Sequence, residues 1–360
     1  MAKKSVKQKA RVSYVFWEHA REGNDYYSHP ISEIDDYLKR EKEKGRTFDG
    51  ILIESADLHH FKGRKIKKIL RTMAKKTRQA YLSMLEKSKA GGLPNAEAIA
   101  TQHAFVSPEV WGPNPPVSKA TIGQVVLAAK HGLKIHFLEA YSKKELEENS
   151  LIHRFFSRSP EMEEPIAVGL MGRDLNQARA VVEKWATRLG AITFARHKRM
   201  LQIIGRVAKH SSSKAGRHNV GLIVPVGSIH TTLVELHKEL LSKVECSRLS
   251  TSSSKEYHSL QDFPYAVFAA ADSMGAGRQM DGRWVDRATL FKAVEHDLPR
   301  PVFLGAKDRQ KHQDWKSQVI QNAALQIMHL SQGDFEQIAE AYKSSSNPMH
   351  EVLGQFFAKK

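Results

Sequence analysis

The stretch VGLIVPVGSIHTTLVELHKEL, residues 220–240, decides the fold. Val220–Val226 is a continuous apolar run closed by Gly227, and Leu233, Leu236 and Leu240 then recur at helical spacing. A short apolar run bounded by glycine and followed by a 3.6-residue period is a buried strand feeding an amphipathic helix, the unit of an α/β layer. In open α/β sheets ligands gather beyond the carboxyl ends of the strands. His230, three residues past Gly227, therefore stands where chemistry is done, although a single histidine in a turn can equally serve to hydrogen-bond a helix start.

The same pattern recurs upstream. Val12–Trp17 reads as a strand ending at Glu18-His19, and a helix runs from about Ser32 to Gly45, with Glu33, Asp35 and Asp36 in its first turns. Gly50–Ile53 is a second strand that runs into Glu54, and Lys134–Leu138, after a helix over Ser118–Lys130, is a third that ends at Glu139. Strands separated by helical crossovers of this length pair in parallel. The expected fold is α/β, with a mixed, mainly parallel β-sheet flanked by helices. A basic arm over 1–10, a core over 11–305 with a helical insertion around 62–130, and a helical C-terminal segment over 306–360 complete the expected organisation.

Elsewhere the punctuation is local. Residues 107–116, with four of the 13 prolines, read as a loop, and Ser142–Asn149 as a charged helix. Ile166–Leu170 reads as a short strand or a first helical turn, and Gly172-Arg173-Asp174 opens a helix over Leu175–Leu189. The Ser/Lys-rich stretches 209–219 and 247–255 read as surface linkers. Tyr265–Ala271 reads as a strand before the glycine-rich turn 273–278, which matches neither the P-loop nor the dinucleotide fingerprint. From Trp315 onward Val319, Ala323, Ile327 and Leu330 share a helical face expected to pack on the sheet.

Composition sets bounds. With 360 residues, 41% hydrophobic and 26% charged, the chain has a globular composition. Its 56 Lys+Arg against 39 Asp+Glu give a formal charge of +17, a field that concentrates polyanions. The single Cys246 excludes an internal disulfide and a multi-cysteine zinc site, and it lies in a serine-rich stretch without an evident base. No window reaches the ~18 apolar residues of a membrane helix, so a cytoplasmic protein without an integral membrane segment is expected. Residues 62–78 carry nine basic residues and no acid. On a helix Arg64, Lys68, Arg71, Lys75 and Arg78 form one stripe opposite Ile66, Leu70 and Met73, either a solvated face or a phosphate-tracking surface for nucleic acid.

His19, Glu54, Glu139 and His230 thus close four strands, and Arg173 precedes a helix. Two imidazoles, two carboxylates and a guanidinium can hold and activate a water, with a carboxylate or imidazole as general base and Arg173 or a metal stabilising negative charge. His19, Glu54, Glu139 and His230 could equally form an N/O metal site. Singly, each has a structural role: the glutamates as ion-paired strand ends, Arg173 as their partner, His19 packed beside Trp17. Occurring together in this order, they read as a pocket.

This series resembles the TraB/PrgY/TIKI group within the wider EreA/ChaN-like assembly. The resemblance spans about residues 12 to 245 and is carried by His19, Glu54, the run Gly132–Glu139, Arg173-Asp174, and Gly227-Ser228-Ile229-His230. The first turn reads Phe16-Trp17-Glu18-His19, with phenylalanine in place of glycine, and Asp174 stands in place of asparagine. The resemblance implies pocket residues His19, Glu54, Glu139, Arg173 and His230, with Gly227 beside a bound cofactor. It implies peptide cleavage with a divalent metal (Mn, Zn, Fe or Co), ester hydrolysis by a histidine-activated water, or, in a third branch, haem binding. The expected function is hydrolysis of a small-molecule or peptide substrate. The alternative is a non-enzymatic nucleic-acid-binding protein with a degenerate pocket, acting through the basic stripe and the N-terminal arm.

Overall fold

The computed structural model describes residues 10–17, 29–54, 63–112, 119–138, 163–215, 220–227, 230, 232–250, 280–297, 311, 323, 327 and 329–345. Contacts divide the chain into two compact units, residues 1–150 with 196–255 and residues 151–195 with 256–360. The boundary expected near residue 305 falls inside the second of these.

The first unit is an α/β layer. Its strands are β1 (Arg11–Trp17), β2 (Thr47–Ile53), β3 (Lys134–Phe137), β4 (Val220–Gly227) and β5 (Glu245–Ser250). They form a sheet in the order β3-β2-β4-β1-β5, and every pairing described is parallel. The helices of this unit are α1 (His29–Glu43), α2 (Gly63–Ala90), α3 (Ala96–Val106), the single turn α4 (Pro108–Trp111), α5 (Lys119–His131) and α8 (Leu233–Leu240). The helix α7 (Leu175–Ala215) contributes its residues from Arg196 onward to the first unit and its earlier ones to the second.

Side-chain alternation explains the layering. Val15, Ile51, Ile53 and Ile223 point to one face and share a buried cluster with Ile34 and Leu38 of α1, Leu70 and Tyr81 of α2, and Val125 and Leu127 of α5. Tyr14, one residue out of phase with Val15, donates its hydroxyl to His237 Nδ1 on α8 at 2.8 Å. His237 Nε2–H in turn donates to the Val244 carbonyl at 3.0 Å, so one imidazole ties β1, α8 and the approach to β5 together. Two glycines permit close approach: a Cβ on Gly221 would meet the Phe48 ring at 2.6 Å, and one on Gly50 would meet His136 at 3.0 Å. Between Phe48 and Gly50 the β2–β4 register shifts by a residue, a bulge at Asp49.

The strand order locates the site. The β2-to-β3 crossover runs toward one edge of the sheet and the β4-to-β5 crossover toward the other, while β2 and β4 are neighbours. Adjacent strands whose connections leave in opposite directions define the switch point of a doubly wound sheet, outside whose carboxyl ends ligands bind.

The second unit is helical in its described residues, with α6 (Glu163–Met171), the first part of α7, α9 (Gly282–Asp297) and α10 (Gln332–Ser344). Its cluster includes Ile166, Leu170, Ala178, Val182, Val294, Ile327, Leu330 and Ile338. Arg179 bridges α7 to Asp286 of α9 at 2.6 Å, and Tyr342 of α10 donates to Asp297 at 2.7 Å.

One open alternative is decided and two expectations are corrected. Of the strand or helical turn expected over residues 166–170, the helix is found, because Ile166 and Leu170, four apart, are buried on one face. The helix expected to stop at Leu189 continues to Ala215 and absorbs the first half of the supposed linker 209–219, because Ile192, Met200, Leu201, Ile204 and Ala208 extend its buried stripe. Residues 247–250 are part of edge strand β5 rather than a linker, since pairing along β1 requires main-chain groups and not apolar side chains. In addition, Pro108–Trp111 of the proline-rich loop forms a helical turn, anchored by Trp111 Nε1–H donating to the Ala104 carbonyl at 2.9 Å. The expectations for residues 142–149, 265–271 and 273–278 lie outside the described residues.

Candidate active site

The β2–β4 ladder ends at the pair Ile51 and Ile223, although β4 runs on to Gly227. By strand alternation Pro225 turns its nitrogen to the same side as Gly227, and proline has no N–H to donate there. The Glu54 carboxylate takes over where the ladder stops. Its Oε2 accepts the Gly227 N–H at 2.7 Å. Its Oε1 accepts His230 Nε2–H at 2.9 Å and an Nη2–H of Arg196 at 3.3 Å. The last residue of β4 and His230 beyond it thus both meet the residue that follows β2.

Two further members come from α7. Arg196 and His197 sit in the buried stripe between Ile192 and Met200, at 2% and 0% exposure. His197 Nε2 lies 2.8 Å from His230 Nδ1, and the two rings meet edge to face. The partners fix the tautomers. An ionised Glu54 only accepts, so His230 carries its hydrogen on Nε2 and offers the Nδ1 lone pair to His197 Nε2–H. The 3.4 Å approach of Arg196 Nη2 to His230 Nε2 is then a contact between two donors that share Oε1 as acceptor. Burial, and after it the positive charge of His230 when protonated and of Arg196, hold His197 well below the ordinary imidazole value, against the opposing pull of Glu54. The charges of Glu54 and Arg196 cancel, so neutral imidazoles leave the cluster without net charge. The result is a buried carboxylate–imidazole–imidazole chain with a guanidinium at its carboxylate end.

Glu54, His197 and His230 by themselves do not present an open set of ligands to a cation. Glu54, His230 and His197 direct their ligand atoms at one another, and Arg196 sits 3.3 Å from the carboxylate oxygen a metal would use. Among the described residues no group of three or more His, Cys, Asp or Glu is placed to hold a metal ion. His19 and Glu139, the two other expected ligands, lie outside the described residues.

Of the expected pocket residues, Glu54, Gly227 and His230 come together. Arg173 belongs to the second unit, where its φ of 56° forms the left-handed turn between α6 and α7 and its guanidinium donates to the Ser345 carbonyl. Asp174 caps α7 there by accepting the Gln177 N–H at 2.9 Å. The guanidinium beside Glu54 is that of Arg196, which sequence reasoning missed together with His197. The available signal was two polar residues inside the apolar stripe Ile192, Met200, Leu201 and Ile204.

The basic stripe lies on α2 as expected. Lys68, Arg71, Lys75 and Arg78 are exposed, Leu70 and Thr77 are buried, and the Arg64 side chain lies outside the described ones. Among the described residues no helix is long and apolar enough to cross a membrane.

The fold and site define an α/β protein with a buried Glu–His–His–Arg cluster at the switch point of a parallel sheet. No family model, curated protein or solved structure matches the chain.

Proposed function

We propose that this chain is a hydrolase that cleaves a peptide or ester bond, with water activated by the His197–His230 pair and Glu54 as its anchoring carboxylate. The observation that carries the reading is the unbroken chain Glu54 Oε1, His230 Nε2, His230 Nδ1, His197 Nε2, with links of 2.9 and 2.8 Å. A depressed imidazole is neutral at neutral pH and able to take a proton. In the proposed step a water O–H bond breaks, its proton passes to His197 Nδ1, and its oxygen bonds to the carbonyl carbon. The C–O or C–N bond then breaks, and the leaving alcohol or amine takes the proton back. Glu54 fixes the tautomer and stabilises the transient imidazolium, and Arg196 supplies positive charge beside it. No step requires a metal.

The test is a panel of p-nitrophenyl esters and a peptide library, read for the wild type and for Glu54→Gln and His230→Ala. A loss of about 100-fold or more in both variants, with near-UV circular dichroism retained, is expected. Full turnover by folded His230→Ala refutes the reading. Elemental analysis and a visible spectrum of the same samples test the metal and haem branches. Stoichiometric Mn, Zn, Fe or Co, or a haem band, present in the wild type and lost in His230→Ala would replace the metal-free route.

A further inference from the structure

Eight cations whose side chains are described lie against carboxylates. Arg11, Lys44 and Arg46 converge on Glu41, Lys39 and Lys130 on Asp35, Arg179 on Asp286, Arg196 on Glu54, and Arg283 on Asp281. The exposed cations of α2 differ. Lys68, Arg71, Lys75, Lys76 and Arg78 enter no ion pair among the described residues, although residues 62–78 hold nine basic groups. Such unrelieved repulsion on one helix is a standing cost that a polyanion removes.

The geometry points to what that polyanion is. Lys68, Arg71, Lys75 and Arg78 are spaced by three and four residues, so they line one side of the helix over about 15 Å at 1.5 Å per residue. The helix cannot turn or sink into a bilayer, because its apolar side is already used. Leu70 and Tyr81 are fully buried, and Met73, Met84 and Leu85 pack against the same cluster as Ala100 of α3 and Val125 of α5. A rigid row of charges without an insertable apolar face suits a phosphate backbone rather than a membrane. The positive field extends past α2 onto the edge strand. After burial, Lys134, Arg71 and His210 depress the His136 imidazole, with Asp49 opposing.

We infer that the exposed stripe Lys68, Arg71, Lys75 and Arg78 on α2 is a docking surface for the phosphate backbone of a nucleic-acid duplex. It is independent of the proposed hydrolase centre, and none of its residues belongs to the Glu54 cluster.

The test is fluorescence anisotropy with a short labelled DNA duplex on the full chain. Four phosphate contacts give a log–log salt slope of about −3.6, or about 150-fold weaker binding between about 50 and 200 mM salt. The variant Lys68→Gln/Arg71→Gln/Lys75→Gln/Arg78→Gln uses exposed positions and a good helix former, and should lose about 3.6 of that slope. The control Lys39→Gln/Lys44→Gln/Arg46→Gln/Arg283→Gln removes the same charge from exposed cations that are already paired, and should keep the slope. Circular dichroism checks both folds, and the four single variants, each expected to lose about 0.9 of the slope, stand in should the quadruple variant unfold. Equal losses in both quadruple variants would show a general charge effect and overturn the inference. Absence of duplex binding at low salt, or binding to anionic vesicles without binding to duplex, overturns it as well. RNA duplex and single-stranded arms identify which nucleic acid is preferred.

Discussion

Removing the Glu54 carboxylate tests the cluster as a physical unit. Its side chain is 3% exposed and that of Arg196 2%, so both charges are out of water. At 3.3 Å and an effective dielectric of about 20, their attraction is about 5 kcal/mol, most of it offset by the desolvation of both ions. Glu54→Ala leaves the guanidinium without this counter-charge and strips the Gly227 N–H and His230 Nε2–H of their acceptor. Breaking a buried pair in this way costs about 3–5 kcal/mol, a large part of the roughly 5–15 kcal/mol that holds a domain folded. Urea unfolding followed by intrinsic fluorescence measures it. Glu54→Gln keeps the shape and one acceptor oxygen and should cost less. Arg196→Met alone should also destabilise, but the Glu54→Ala/Arg196→Met double variant should fall short of the sum of the two by about 1–3 kcal/mol. A Glu54→Ala cost below about 1 kcal/mol, or additivity within about 0.5 kcal/mol, would refute the reasoning.

Three further outcomes follow from particular contacts. Because the His197 pKa in the folded protein lies below its ordinary 6.5, the unfolded chain binds more protons below that pH. Stability is therefore flat above about pH 6.5 and falls as the solution is acidified, by at most about 1.4 kcal/mol per pH unit from this group; His197→Gln should show a shallower acid limb in pH-dependent unfolding, and an unchanged limb contradicts the assignment. Gly221→Ala places a Cβ 2.6 Å from the Phe48 ring and 3.0 Å from the Thr47 carbonyl, and should lower stability by about 1–3 kcal/mol, with a smaller loss in a Phe48→Leu background. Gln124 on α5 is 1% exposed, and neither polar atom of its amide has a hydrogen-bond partner among the described residues, so Gln124→Met should raise the melting temperature through about 1–2 kcal/mol; a lowered one would show that the amide is satisfied in solution.

What could be read from the sequence was what local periodicity carries. The run Val220–Val226, the leucine spacing of α8 and the Leu70 face of α2 each identify an element without knowledge of its neighbours. Glu54 and His230 could be singled out because each follows an apolar strand. Their meeting could not be read, because it depends on β4 lying between β2 and β1, and order in a parallel sheet is set by crossovers that leave no local mark. Arg196 and His197 escape the sequence reading because it ends the helix at Leu189, whereas the buried residues Leu189 and Ile192 on both sides of that point keep α7 continuous. β5 was lost because Ser247 and Arg248 resemble a linker, although Ser247 Oγ lies 3.0 Å from Ser13 Oγ and Arg248 covers the Phe16 ring at 5.0 Å. Composition describes what a segment can bury, and an edge strand held by main-chain bonds need bury little.

The account turns on the chain from Glu54 through His230 to His197, and long-range 15N imidazole NMR reads it directly. The expected spectrum at neutral pH shows His230 protonated on Nε2 alone and His197 neutral with its hydrogen on Nε2, and His197 staying neutral through pH 6.5 as the sample is acidified. In Glu54→Gln the His230 tautomer should no longer be fixed. A His197 ring that titrates near 6.5, or a His230 hydrogen on Nδ1 in the wild type, would contradict the chain and the hydrolytic reading built on it.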